Sequence, residues 1–392
     1  MQHVGKALSS SGDGSVAATS GPEAAAGHPA DAAAPSTNQN RVGLRAGSVD
    51  DNARFTDYLA YRHAFADQHL AAHDFDVTER HVFTVATPSG SPVLGAVIKV
   101  KTTAGAPVAE LRTFADGRAL WFPKATKAGA ANRFKVEVTK GHATKTITID
   151  RASLDHAVTL DAPAAPARSL DVEFLVDATG SMGDEIAQLK ASLSSISDRV
   201  RSLPSHPDVR FALTIFRDRG DDSLSRTWDF TADVAGFRRS IADIEATGGG
   251  DTPEDVQQGL HDALAKPSWR GADTVKLVFL VGDATPHLDY DHDPDYVDAI
   301  VTAAAEGIKI ESLAASGLDD QGEYIWRQLA QATLGQFVFL TYGADDTTTN
   351  HVSGYTPDDL DDLVVRLICG ELGGSSPQGV TNTQSGKGST QQ

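Results

Sequence analysis

The run Asp177-Ala178-Thr179-Gly180-Ser181-Met182 constrains this chain more than any other feature. Residues 170–176 before it read as a buried strand, and Gly183-Asp184-Glu185-Ile186 after it reads as the opening of a helix. A strand-to-helix turn at this place carries a carboxylate and two hydroxyls at alternate positions. Their oxygens can converge on one hard cation. Oxygen-only ligation with few charges suits Mg²⁺, Mn²⁺ or Ca²⁺, and does not suit zinc.

Two later segments extend the pattern. Gly248-Gly249-Gly250-Asp251-Thr252-Pro253-Glu254-Asp255 is a Gly-rich loop that opens a helix, with Pro253 at a plausible first helical position. Gly282-Asp283-Ala284-Thr285-Pro286-His287 ends a second apolar strand, residues 275–281. Three motifs at the carboxyl ends of strands meet on one edge of a parallel sheet, where open α/β folds bind ligands.

Their order and spacing over residues 168–372 resemble the von Willebrand factor type A (VWA) domain and its metal-ion-dependent adhesion site. The resemblance implies an α/β fold, a Rossmann-like, doubly wound and mostly parallel sheet. It implies that Asp177 is the metal carboxylate, directly or through water, that Thr179 and Ser181 give hydroxyl oxygens, and that Asp283 acts mostly through water. The remaining ligand stays open. The commoner family pattern uses a Thr from the second loop, here Thr252, while integrin β subunits use a Glu, here Glu254. Asp251 is then an outer or adjacent-site ligand. The ion implied is Mg²⁺ first, with Mn²⁺ or Ca²⁺ as alternatives.

Composition limits the functions available. The net charge is −19, unevenly spread: residues 168–372 hold 16 Lys and Arg against 37 Asp and Glu, whereas residues 81–162 hold 11 against 6. Such an acidic domain is a poor nucleic-acid binder and a good host for cations. Residues 1–48 and 373–392 are rich in small and polar side chains and read as disordered tails. The single cysteine, Cys369, has no partner for an internal disulfide and reads as a small buried residue of a C-terminal helix. No stretch approaches the ~18 apolar residues of a transmembrane segment, and the chain shows no signal-peptide pattern. The literal expectation is a soluble, cytoplasmic protein; the family resemblance points outside the cell.

Residues 49–80 form a helical segment in this reading, with a helix over 50–73 that places His69 and His73 on one face. These two read as surface histidines, because no further zinc ligand accompanies them. Residues 81–162 contain about seven short runs rich in Val, Phe, Ile and Thr, separated by turn signals, which predicts a small all-β sandwich. The phrases Gly90-Ser91-Pro92-Val93-Leu94-Gly95-Ala96 and Thr113-Phe114-Ala115-Asp116-Gly117-Arg118-Ala119 resemble the carboxypeptidase-regulatory-like, transthyretin-like family, whose modules are usually spacers. A Pro/Ala linker at 163–167 leads to the VWA-like part. This division predicts that residues 167–373 fold alone.

Asp184 and Glu185 fall where integrin β subunits carry an adjacent cation site, but acidic residues are also what a helix macrodipole favours in a first turn. Asp289 and Asp291 lie in an acidic run that fails as an EF-hand, since Pro294 stands at the turn Gly and Ile300 at the closing Glu; they read first as a solvated acidic loop, and otherwise as a rim or adjacent cation site. Arg219-Gly220-Asp221 is an RGD tripeptide inside an ordinary mixed-charge turn. No Walker A loop, nucleophile elbow or zinc-hydrolase motif is present, and Thr179 stands where a haloacid-dehalogenase-type motif needs a second Asp. The expected function is non-catalytic protein binding, in which an exposed acidic residue of the partner completes the metal's coordination. The alternative is a VWA subunit of an intracellular assembly, such as an ATPase or chaperone-like complex; a metal-dependent hydrolase comes third.

Overall fold

The computed structural model describes residues 44–341, except 74, 164–168, 222, 251 and 291–293, and in addition 352, 355 and 358–373. Strand β1 (Arg45–Val49) is followed by helix α1 (Phe55–Asp67). Seven strands come next: β2 (His81–Ala86), β3 (Val97–Thr102), β4 (Pro107–Arg112), β5 (Arg118–Trp121), β6 (Arg133–Lys140), β7 (Ala143–Asp150) and β8 (Asp155–Thr159). From β9 (Ser169–Asp177) the chain alternates through α2 (Gly183–Arg201), β10 (Asp208–Phe216), β11 (Ser225–Thr231), α3 (Val234–Ala242), α4 (Val256–Ala265), β12 (Thr274–Gly282), α5 (Tyr296–Glu306), β13 (Ile308–Ala314), α6 (Asp320–Ala332), β14 (Phe337–Thr341), β15 (Asp358–Asp359) and α7 (Leu360–Glu371).

An eight-stranded sheet in the order β11-β10-β9-β12-β13-β14-β1-β15 organises the α/β part. Its centre, β10 through β14, is parallel, while β11 and β1 run antiparallel to their neighbours. Every residue of β12 and of β13 is buried, as expected of strands covered on both faces. On one face α2 presents Ile186, Leu189, Leu193, Ile196 and Val200 to the cluster that also holds Phe237 of α3 and Val364 and Cys369 of α7. On the other face α1, α4, α5 and α6 bury Phe65, Leu260, Ile300 and Trp326. Each such side chain contributes about 1.5–3 kcal/mol on burial. Asp233, Asp255, Asp295, Asp319 and Asp359 cap the first turns of α3, α4, α5, α6 and α7 by accepting backbone N–H bonds.

The seven strands β2 to β8 form a three-stranded sheet, β5-β2-β8, and a four-stranded sheet, β4-β3-β6-β7. The two share one buried cluster around Phe83, Trp121 and Phe134. They pack on the edge where β12 and β13 begin. Lys140 pairs with Asp273 (2.5 Å), Lys309 lies 5.7 Å from the Phe114 ring, and Gly95 comes so close to the Ala272 carbonyl that a Cβ there would overlap it. The carboxyl ends of the sheet strands are therefore on the far side.

Several expectations change. Residues 45–48, read as part of a tail, and Val49, read as the start of the helical segment, form β1, because the small side chains of Ala46, Gly47 and Ser48 let the strand fill the open side of β14. The helix expected over 50–73 stops at Asp67, and His69 adopts φ 59°, so His69 and His73 do not share a helix face. Pro253, expected at the first helical position, lies before the helix, which begins at Val256 because Asp255 takes the cap by accepting from Gln258 N (3.0 Å). Residues 164–167 of the linker and 374–392 of the expected C-terminal tail lie outside the described residues. Among the described residues no helix is long and apolar enough to cross a membrane.

The segment around α1 is tied to the α/β part by a buried ion pair. Arg327 of α6 donates to both oxygens of Asp51 (2.7 and 2.9 Å) and to Glu323 (3.0 Å). A boundary at residue 167 cuts away β1, α1 and this pair. Asp51→Ala, which leaves Arg327 poorly compensated, should cost about 3 kcal/mol in urea unfolding, and a chain of residues 167–373 should be less stable than one of residues 44–373. Equal stability of the two chains would show β1 and α1 to be accessory.

A second buried pair sets an acid limit. His81 Nδ1 and His156 Nε2 are 2.9 Å apart. Burial holds both imidazoles below their usual range, His156 at about 4. The unfolded chain then binds protons that the native one does not, so stability should fall as pH drops from about 6.5 toward 4. His156→Gln should flatten that limb of the pH–stability curve; an unchanged limb would place its cause elsewhere.

Candidate functional site

The site grows from the carboxyl ends of neighbouring strands. Val176 pairs with Val281, so Asp177 and Gly282 close β9 and β12 side by side. Residue 282 must be small, because a Cβ there would lie 2.6 Å from the Asp177 Cβ. After Asp177 the chain enters a 3₁₀ turn, Gly180–Met182, that runs straight into α2. The Gly-rich loop lies alongside: Thr247 N donates to Ala178 O (3.0 Å) and Gly180 N to Gly248 O (2.9 Å). Gly249 has φ 65°, and a Cβ there would meet Glu254 Oε1 at 2.6 Å and Thr179 Cβ at 2.9 Å. The third loop is joined through Glu254, whose N–H donates to Thr285 O and whose carbonyl accepts from His287 N, both at 3.0 Å.

Side chains from two of these loops form a continuous chain of hydrogen bonds. Asp177 Oδ1 accepts from Thr179 N (2.9 Å) and Thr179 Oγ1 (2.7 Å). Thr179 Oγ1 is 3.1 Å from Ser181 Oγ, which donates to Asp283 Oδ1 (3.0 Å). Asp177, Thr179 and Glu254 are buried. Asp177 Oδ2 and Glu254 Oε2 have no hydrogen-bond partner among the described residues, and none of Asp177, Glu185, Glu254 and Asp283 is paired there with a Lys or Arg. Burial, followed by the neighbouring Asp283, pushes the Asp177 carboxyl up to about 7. Burial, followed by Asp177, pushes Glu254 up to about 8. Asp283 is also raised, mainly by burial, with Glu185 adding to it.

The sequence-expected residues thus divide. Asp177, Thr179, Ser181 and Asp283 are linked, and Glu254 stands beside them. Thr252 is exposed, and among the described residues no hydrogen bond joins it to the others. Glu185 is buried and accepts from the Ser316 hydroxyl after β13, leaving its Oε2 without a partner. Asp184 belongs to the first turn of α2. Asp289 is exposed and pairs with His287 Nδ1 (2.7 Å). Asp251 and Asp291 lie outside the described residues.

Sequence reasoning missed the supports. Asp221 accepts from Gly249 N (3.0 Å) and steadies the Gly-rich loop. Tyr290 OH donates to Asp218 (2.9 Å), and the Arg219 guanidinium lies 4.1 Å from the Tyr290 ring. Within the RGD tripeptide, Arg219 and Gly220 are exposed, while Arg219 stacks on Tyr290 and Asp221 accepts from the Gly-rich loop. Trp326 presses its ring toward Gly282, and Thr285 donates to the α6 cap Asp319. The available signal for Asp218 and Asp221 was their place just after β10, a strand that ends on the same edge.

Without an ion the raised carboxyls make stability depend on pH. The native state holds protons that the unfolded chain has already lost, so this contribution is present at low pH and disappears as pH rises through about 7 to 8. In the presence of a chelator, wild type should lose stability from pH 5 to 8 relative to Asp177→Asn. Parallel curves for the two would contradict this electrostatic description.

Residues 171–291 match the family model for the von Willebrand factor A domain. The alpha-protein kinase vwkA of Dictyostelium discoideum is 28% identical over 171 residues, covering 43% of this chain and 27% of that protein. The von Willebrand factor A domain-containing protein 7 of Homo sapiens is 33% identical over 121 residues, 31% of this chain and 12% of that protein. Hemicentin-2 of Mus musculus is 25% identical over 183 residues, 46% of this chain and 3% of that protein. The alignments span at most 27% of these relatives' length. The match covers residues 171–291, on the parallel core of the eight-stranded sheet, and supports a von Willebrand factor A domain in that part of the chain.

Proposed function

We propose that this chain is a protein-binding module that holds a divalent cation at Asp177, Thr179, Ser181, Glu254 and Asp283 and engages an acidic group of its partner. The carrying observation is the pair of buried, unpartnered oxygens, Asp177 Oδ2 and Glu254 Oε2, beside two hydroxyls. Buried like charges without a counter-charge are costly, and a cation offsets that cost. The donors are all oxygen, which fits Mg²⁺, Mn²⁺ or Ca²⁺. The proposed donor set mixes carboxylates with hydroxyls and leaves positions for water or ligand, which favours Mg²⁺. Between the two candidates of the second loop, the buried Glu254 fits better than the exposed Thr252.

A bound cation would supply an open coordination position for a carboxylate. The chain's own residues do the rest. Asp221 and Thr285 hold the loops in place, and the exposed Asp289 discourages anions that no cation bridges. We read β2 to β8 as a transthyretin-like sandwich that acts as a spacer on the opposite edge. The site is assigned to binding, with no catalytic step.

Titration calorimetry and thermal unfolding of chelator-treated protein with Mg²⁺, Mn²⁺ and Ca²⁺ test the reading. At ~100-fold over its dissociation constant an ion should add about 2.7 kcal/mol. Glu254→Gln should weaken the ion at least about tenfold, ~1.4 kcal/mol, and Thr252→Ala should change it little. Absence of both heat and stabilisation for all three ions would overturn the proposal; the reverse order of the two variants would replace Glu254 by Thr252.

A further inference from the structure

The segment that joins β10 to β11 carries none of the donors proposed above, yet it is fastened to each of the three loops that do. Arg217, its first residue, reaches the first loop and the approach to the second. Its Nε donates to Ala178 O (3.1 Å), next to Asp177, and its Nη2 to Glu245 O (2.8 Å), shortly before the Gly-rich run. Ala178 O also accepts from Thr247 N (3.0 Å), so one carbonyl ties both loops to the guanidinium. Asp221 holds the Gly-rich loop itself, accepting from Gly249 N through both oxygens (3.0 and 3.3 Å). The fit is tight, since a Cβ on Gly248 would lie 2.3 Å from that carboxylate. Asp218 takes the third loop by accepting from Tyr290 OH (2.9 Å).

The segment is itself stiff. Arg217 N donates to Leu224 O (2.9 Å), which continues the β10–β11 ladder past the strand ends. Asp218 N donates to Asp221 Oδ2 (3.2 Å) and Asp221 N to Asp218 O (3.4 Å), closing a turn in which Gly220 takes φ 97°. Asp218 is buried, and the Arg219 guanidinium lies 4.1 Å from the Tyr290 ring. A brace of this kind fixes the spacing between donors that sit on different loops. Spacing is what separates the two commonest hard cations. Mg²⁺ demands near-octahedral oxygens at about 2.0–2.1 Å, whereas Ca²⁺ accepts about 2.3–2.6 Å and irregular geometry, so the size and flexibility of the cavity decide between them. Groups behind the donors thereby tune a metal site without touching the metal.

Resting on the reading of the site as a divalent-cation site, we propose that this brace makes it select Mg²⁺ over Ca²⁺, with Arg217, Asp221 and the Asp218–Tyr290 pair as positioning residues. Calorimetric titration of the chelator-treated full chain with Mg²⁺ and with Ca²⁺ tests it, with circular dichroism and urea unfolding recorded for each variant. Arg217→Lys keeps the charge and loses the two-point bridge. Tyr290→Phe keeps the ring and loses the hydroxyl on Asp218. Each should weaken Mg²⁺ at least about tenfold, the scale for groups behind metal ligands, and Ca²⁺ at most about twofold. Asp221→Asn removes a charge but keeps an acceptor for Gly249 N, so it should weaken both ions by the same factor. A brace that served stability alone would lower urea stability and both affinities together, leaving their ratio at the wild-type value. That result in Arg217→Lys and Tyr290→Phe overturns the proposal and leaves the cation reading intact. So does a wild type that binds Ca²⁺ more tightly than Mg²⁺, or an Asp221→Asn whose ratio moves more than that of Arg217→Lys, which would assign the choice to charge. A wild type that binds neither ion overturns the cation reading and this proposal with it.

Discussion

The interaction on which the candidate site depends is the burial of Asp177 and Glu254 at the carboxyl end of a parallel sheet, with no Lys or Arg among the described residues paired with them. Ordinary folding logic removes such groups, since a buried charge without a partner costs several kcal/mol. Here three loops are fastened to one another by backbone hydrogen bonds that hold the two carboxyls in place. Gly249 and Gly282 exist at positions where any side chain would push those carboxyls aside. The strain is electrostatic and local; a proton relieves it, and in the proposed function a metal ion would do the same. That dual relief links the raised carboxyl pKa values to the proposed cation site.

The two smaller sheets and the N-terminal part of the described chain pack away from that edge. The two smaller sheets press against the amino ends of β12 and β13 through Lys140, Phe114 and Gly95, and so leave the carboxyl ends uncovered. β1 extends the main sheet beyond β14, and Asp51 locks the following segment onto α6 through Arg327. α6 in turn carries Trp326 beneath Gly282 and its cap Asp319 against Thr285. A continuous set of packed and hydrogen-bonded groups thus joins the N-terminal part of the described chain to the loop that bears Asp283.

The parts legible in the sequence were those whose signal is local and repeated. The apolar strands, the stripe Ile186, Leu189, Leu193, Ile196 and Val200, and the placing of Asp177 and Asp283 at strand ends all follow from periodicity and composition. β1 was not legible: its five residues carry little hydrophobicity of their own, and their strand state is imposed by β14 across a long sequence separation. The end of α1 was missed because the aromatic spacing weakens gradually, while the left-handed turn at His69 carries no Gly to announce it. Asp218 and Asp221 looked like solvated charges because their partners, Tyr290 and Gly249, come from other loops.

The most direct test is a crystal structure of the protein grown with Mn²⁺, with an anomalous difference map recorded at the manganese edge. The account predicts one peak in contact with Ser181 Oγ and the Glu254 carboxylate, at about 2.0–2.2 Å as for a hard ion with oxygen ligands, and loss of that peak in Asp177→Ala crystals. A map with no peak at this edge, or a peak that persists at full height without Asp177, would contradict it.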